Sequence, residues 1–223
     1  MKKFFFVPLL AVLICNYALA EQDLPYTSLS EEMKNITFTP ELIQRVSMIN
    51  NLKPLAEKGD IEAQKELVRI YMAEYKGVID YENAKIWLIE LTKQTIDIKL
   101  QAEANKELAG FYYFGHGVNK DYAKVRYYAE KAAYNNSADG QLLLGNLYFR
   151  GEGVEQNYEI AKYWFEKAAK QNKSFALLAL GSMYEYGLGV EANEIQAMKL
   201  YQLACNKNDA KACERYSHLV NLK

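Results

Sequence analysis

The chain has 223 residues, half of them apolar, with only 4 prolines and 12 glycines, the composition of an ordered chain rather than a disordered or fibrous one. Its 27 basic and 28 acidic side chains leave a net charge of −1, which excludes the strongly basic balance of a nucleic-acid binder.

Lys2 and Lys3 precede an apolar run from Phe4 to Ile14, and Ala18 and Ala20 supply the small residues of a cleavage site. The run is too short to span a bilayer, and Asn16 interrupts it, so residues 1–20 read as a secretory signal peptide cut before Glu21. Cys15 raises lipidation as another option, but Ile14 stands where a lipoprotein signal wants a small residue. The expected location is the periplasm or the outside of a bacterial cell. Cleavage takes Lys+Arg from 27 to 25 against 28 acidic residues, a net charge of −3. No later segment approaches the length of a membrane span. Of three cysteines, Cys205 and Cys213 remain, and an even count in an exported chain reads as a disulfide.

Residues 21–38 carry no helical period and are expected to be a flexible lead. Thr39-Pro40-Glu41 is a helix start, with proline at the first turn, so 39–60 reads as an N-terminal capping helix. A degenerate repeat follows over 61–101. Ala63, Leu67, Ile70 and Tyr71 match Ala104, Leu108, Phe111 and Tyr112; its turn keeps only Gly77-Val78, and Ala84 and Trp87 mark its second helix. Five extra residues lie around 93–100, as a lengthened helix or a loop.

Three stronger units follow over 102–137, 138–173 and 174–209. Gly115-His116-Gly117-Val118 recurs as Gly151-Glu152-Gly153-Val154 and as Gly187-Leu188-Gly189-Val190, an interval of 36 residues. Tyr112, Tyr148 and Tyr184 keep the step, as do Ala109, Gly145 and Gly181. In each unit a first helix ends on the glycine turn, where glycine can adopt the left-handed conformation. A second helix follows, as in Tyr158 to about Lys170, with Ala161, Trp164, Phe165, Ala168 and Ala169 along one stripe. Tyr122, Tyr158, Tyr163 and Trp164 are read as core. Residues 210–223 start a last first helix without a partner, a C-terminal cap of the kind stacked arrays need.

The unit A-x₃-L-G-x₂-Y-x₂-G-x-G-V, followed by an A…W-F/Y…AA helix, resembles the Sel-one-like repeat (SLR), a relative of the tetratricopeptide repeat. The resemblance covers roughly Leu52 to the end. It implies an all-α fold, a right-handed α/α solenoid of about four SLR helix pairs with N- and C-terminal capping helices. The seven residues between Cys205 and Cys213 are similar to the spacing in the cysteine-rich secreted SLR proteins of Helicobacter, where such a pair forms a disulfide within each repeat. Here only the last repeat has it; the matching positions are Ala133 with Gln141 and Ala169 with Leu177. That departure implies a C-terminal staple, worth about 2–3 kcal/mol in the chain-entropy model. Some of those relatives were described as binding penicillin or hydrolysing β-lactams, so a cell-wall or β-lactam enzyme is the alternative reading.

No residue set supports that alternative. His116 lies in a glycine turn and reads as a solvated loop residue. Cys205, Cys213 and His218 fall one short of the four ligands of a structural zinc site. No HExxH, G-x-S-x-G or Walker A pattern is present, and no strand precedes the G-x-G-V turns. The chain reads as non-catalytic, without metal or cofactor. Its expected partner is a protein or peptide: an envelope, host or toxin protein.

The partner's place follows from helical geometry. Measured from the first-helix tyrosine at 100° per residue, the apolar columns fall at offsets 0, −1, −3, −4 and −8, and offsets −2, −5, −6, −9 and +2 fall on the other side. First helices line the concave groove of solenoids of this class. The groove offsets are Glu62, Lys65, Glu66, Arg69 and Ala73 in the degenerate unit, then Glu103, Lys106, Glu107, Gly110 and Phe114. Next come Asp139, Leu142, Leu143, Asn146 and Arg150, and last Phe175, Leu178, Ala179, Ser182 and Tyr186. The groove turns apolar toward the C-terminus. The expected partner-binding residues are Phe114, Leu142, Asn146, Arg150, Phe175, Leu178, Ser182 and Tyr186. The competing reading packs offsets −5 and −6 between adjacent first helices, with the cap covering the rest.

Overall fold

The computed structural model describes residues 39–75, 79–94 and 97–221. The expected signal peptide, the flexible lead and the Gly77-Val78 turn lie outside these residues. Contacts divide the chain into two units that meet between Trp87 and Leu88.

In the first unit, α1 (Pro40–Glu57) starts on Thr39, whose hydroxyl accepts from the Leu42 amide at 3.3 Å, with Pro40 at the first turn. Asp60 caps α2 (Ile61–Met72) through the Ala63 amide at 2.8 Å. Ala63, Leu67, Ile70 and Tyr71 form the buried face of α2. Arg45 reaches from α1 to the end of α2 and donates to the carbonyls of Ile70 and Ala73. The next helix, α3 (Tyr81–Thr92), buries Ala84 and Trp87.

The second unit is an all-α repeat array. Its pairs are α4 (Ile98–Phe114) with α5 (Tyr122–Tyr134), α6 (Ala138–Arg150) with α7 (Tyr158–Lys170), and α8 (Ser174–Tyr186) with α9 (Glu194–Cys205); α10 (Ala210–Asn221) closes it. The insertion around 93–100 lengthens α4 to 17 residues, against 13 for α6 and α8. Asp121, Asn157 and Asn193 cap the second helices through their side chains. At the opposite joints the chain turns on Asn136, Asn172 and Asn208, all in the left-handed region and again 36 residues apart.

Two kinds of glycine set the packing. At the first-helix ends, Gly151 (φ +71°) closes α6 on the Leu147 carbonyl. Two residues on, Gly153 is bound by space as well as by φ, since a Cβ there would sit 2.5 Å from Cβ of Tyr122 in the preceding repeat. Within α6 and α8, Gly145 and Gly181 are notches: a Cβ would meet the Phe165 ring at 2.6 Å and the Tyr201 ring at 2.5 Å. The first repeat holds Ala109 at this position, and the residue matching Phe165 and Tyr201 is the small Ala129. Both alanines are buried in one cluster with Tyr112, Leu144 and Trp164.

Cys205 and Cys213 are joined in a disulfide, with Cα atoms 4.6 Å apart. Its position in the repeat is informative. At the equivalent pair 72 residues earlier, Gln141 Nε2 donates to the Ala133 carbonyl at 3.4 Å. In the first unit Gln64 Nε2 donates to the Ala56 carbonyl at 3.0 Å, across the same eight-residue step. The bond therefore makes covalent, at the C-terminal joint, a tie that a buried glutamine makes elsewhere.

Gly181→Ala is expected to lose about 1–3 kcal/mol by overpacking against Tyr201. Gly110 is also helical, but nothing lies within 4 Å of a Cβ there. Gly110→Ala should instead gain about 0.5–1 kcal/mol from helix propensity. Urea denaturation of the two variants checks both signs.

Candidate functional site

The first helices of the last two repeats, and the cap, enclose a pocket of about 450 Å³. Residue spacing explains how it forms. On α6, Leu142, Asn146 and Arg150 recur every four residues, one below another along one stripe. On α8 the matching stripe is Phe175, Leu178, Ala179 and Ser182. The opposite wall is α10, with Lys211, Glu214 and Arg215. Phe149 and Phe165 complete the lining, and Phe165 belongs to the second helix α7.

Six of the eight expected groove residues thus surround one pocket: Leu142, Asn146, Arg150, Phe175, Leu178 and Ser182. Phe175 is 66 % exposed and projects freely. Leu178 follows the competing reading, in which offset −6 packs against neighbouring helices. It is 7 % exposed and shares a core cluster with Ala212 and Leu219 of α10. Offset −6 there turns toward the neighbouring first helix, so Leu178 forms the floor rather than the rim. Leu142, at the same offset one repeat earlier, is half-buried and packs against that cluster while still lining the pocket.

Tyr186 and Phe114 do not line the pocket. The Tyr186 hydroxyl accepts from Arg215, whose guanidinium carbon lies 5.4 Å from the tyrosine ring centre. Phe114 is 60 % exposed on α4, stacked on His116 with ring centres 5.4 Å apart and edge-on to Tyr113. His116 is therefore packed against aromatic rings, not simply solvated.

A polar cluster fixes the pocket wall. The Tyr201 hydroxyl donates to Glu185 Oε2 at 2.6 Å and lies 3.1 Å from Ser182 Oγ. Burial, then the hydrogen bond to Glu185, push the Tyr201 phenol above its ordinary range, so it stays a donor. The same Glu185 oxygen lies 3.5 Å from Arg215 Nη2. Ser182, expected as a groove contact, thus also belongs to this support.

Elsewhere on the first-helix faces the charges pair among themselves. Lys106 pairs with Glu103 and with Glu107, and in the first unit Lys65 pairs with Glu62 and Arg69 with Glu66. Exposed pairs of this kind contribute little stability. Exposed second-helix aromatics were not legible in the sequence: Tyr163, read as core, is 49 % exposed, while the adjacent Trp164 is buried. Lys167 lies over the Tyr163 ring at 5.3 Å and Lys131 over Tyr127 at 5.2 Å.

Among the described residues no cluster of His, Cys, Asp and Glu could hold a metal ion, and no helix is long and apolar enough to cross a membrane. Both cysteines among the described residues are committed to the disulfide.

Residues 102–137, 138–173 and 174–209 each match the Sel1 repeat family. The chain carries three Sel1 repeats. Proteins of this family are generally interaction modules of a non-catalytic, scaffold type. A crystal structure of a protective antigen from uropathogenic Escherichia coli, displaying an SLR fold, is similar at TM-score 0.67 and 30 % identity, over 75 % of this chain and 35 % of the antigen. The chain therefore spans about a third of that antigen's length. A Sel1 repeat protein from Oxalobacter formigenes is 28 % identical over 52 % of this chain and 88 % of its own, with TM-score 0.49. Helicobacter pylori cysteine rich protein B is 26 % identical over 54 % and 98 %, with TM-score 0.42. Comparison with curated protein sequences gives no match.

Thermal denaturation separates pocket floor from rim. Leu178→Ala is expected to lose about 2–5 kcal/mol of stability, and Phe175→Ala to leave the melting temperature nearly unmoved. Equal destabilisation by the two would place Phe175 in the core.

Proposed function

We propose that the chain is an exported, non-catalytic module that holds a protein or peptide partner in the pocket between α6, α8 and α10. The observation that carries this reading is the pocket's composition. An exposed Phe175 stands over an apolar floor, with arginines at two edges. Aromatic and arginine side chains supply much of the binding energy in protein interfaces, because they join buried area to directional contacts. Six of the twelve lining residues are apolar, and an apolar centre with polar groups around it suits a ligand side chain. The disulfide supports a location outside the reducing cytoplasm. The partner is an envelope, host or toxin protein; in the last case the chain acts as an immunity protein.

Photo-crosslinking tests this directly. Benzoylphenylalanine at Phe175, in protein exposed to an envelope extract, is expected to give one adduct of defined mass. The same probe at Tyr127 or Tyr163 on the second helices should give none. Identical adducts from both sets of positions, or adducts from the second helices alone, would move the binding site.

A further inference from the structure

We infer that the pocket takes a peptide segment in which an apolar residue is flanked on both sides by acidic ones. The inference rests on the proposed role of the pocket as a peptide-binding groove and names the chemistry of its ligand.

The charges around the pocket are unbalanced and divided. Arg150, Lys211 and Arg215 line it, against the single carboxylate of Glu214. Among the lining side chains this is an excess of two positive charges, with Glu152 and Glu185 behind Arg150 and Arg215, on a chain whose net charge is −1. The cations sit on opposite walls, Arg150 on α6 and Lys211 with Arg215 on α10, while α8 between them contributes only uncharged lining. A ligand carboxylate can therefore be met on each side of the apolar centre. One terminal carboxylate would satisfy one wall and leave the other cation against an apolar ligand.

The cations are available for this. Arg150 is exposed and lies 3.8 Å from the half-buried Glu152, a long contact that a bidentate carboxylate would outcompete. Lys211 makes no ion pair among the described residues. Arg215 is held in place by Tyr186 and Glu185, and the Glu185 oxygen facing it already accepts from Tyr201. A guanidinium fixed in this way loses little freedom on meeting a carboxylate. The apolar centre matches one side chain: Phe149, Phe165, Leu178 and Ala179 form the floor and Phe175 overhangs it. A basic peptide would meet like charge on both walls, and a wholly apolar one would desolvate the cations without pairing them.

Fluorescence anisotropy on the purified full chain tests the chemistry with three labelled peptides, each acetylated and amidated at its ends. Their cores are Glu-Leu-Glu, Gln-Leu-Gln and Lys-Leu-Lys between Gly-Ser flanks. The Glu peptide is expected to bind roughly tenfold more tightly than the Gln peptide, with the Lys peptide weakest. Arg150→Gln and Lys211→Gln, with unchanged helicity, should each weaken the Glu peptide roughly three- to tenfold and leave the Gln peptide unaffected. If the Gln or Lys peptide binds as well as the Glu peptide, the acidic inference is overturned while the groove stands. If none of the three binds, both the inference and the groove reading fall.

Discussion

The notch at Gly145 and Gly181 is the contact on which the rest of the second unit depends. Each lets a second-helix aromatic ring press against the backbone of the first helix in its own repeat. The consequence reaches past packing. Phe165, seated in the Gly145 notch, becomes part of the pocket lining. Tyr201, seated in the Gly181 notch, passes its hydroxyl to Ser182 and Glu185 and so to Arg215 on the opposite wall. Side chains that belong by sequence to the second helices thus build and brace the first-helix face. The first repeat, with Ala109 and Ala129, lacks the large ring, and its first helix carries the paired charges of Glu103, Lys106 and Glu107 instead.

A repeat array is stabilised by neighbours, so its last member needs a substitute for the missing one. Here α10 covers the apolar face of the third pair with Ala212 and Leu219. The Cys205–Cys213 bond fixes its start where other joints rely on glutamine or on the Ala169–Leu177 contact. The same helix brings Lys211, Glu214 and Arg215 to the pocket. The cap is thereby both the end of the fold and a wall of the site, an economy that ties the proposed binding to the integrity of the C-terminal staple.

The repeat and its helices were legible because several residue columns shared one 36-residue period, and the face of the groove followed from a fixed angle per residue. What the angle could not resolve was depth. Leu142 and Leu178 share an offset, yet Leu178 is buried in the core cluster with Ala212 and Leu219 of α10 while Leu142 is half-buried against that cluster. Tyr186 lay at a groove offset but turned to Arg215, whose position depends on how α10 docks. Lys211, Glu214, Arg215 and Phe165 carried no periodic signal toward the groove, since they reach it from a cap and from a second helix. The exposure of Tyr163 was hidden for a related reason: an aromatic next to a buried tryptophan reads as core until the neighbouring helix is placed.

A double-mutant cycle on Gly145 and Phe165, followed by urea denaturation, tests the notch most directly. In the presence of Phe165, Gly145→Ala should lose about 1–3 kcal/mol. With Phe165→Ala, which recreates the alanine pair of the first repeat, the same glycine substitution should become neutral or stabilising by up to about 1 kcal/mol. Equal losses from Gly145→Ala in both backgrounds would show that the glycine answers to something other than the ring, and would remove the contact from which the pocket is built.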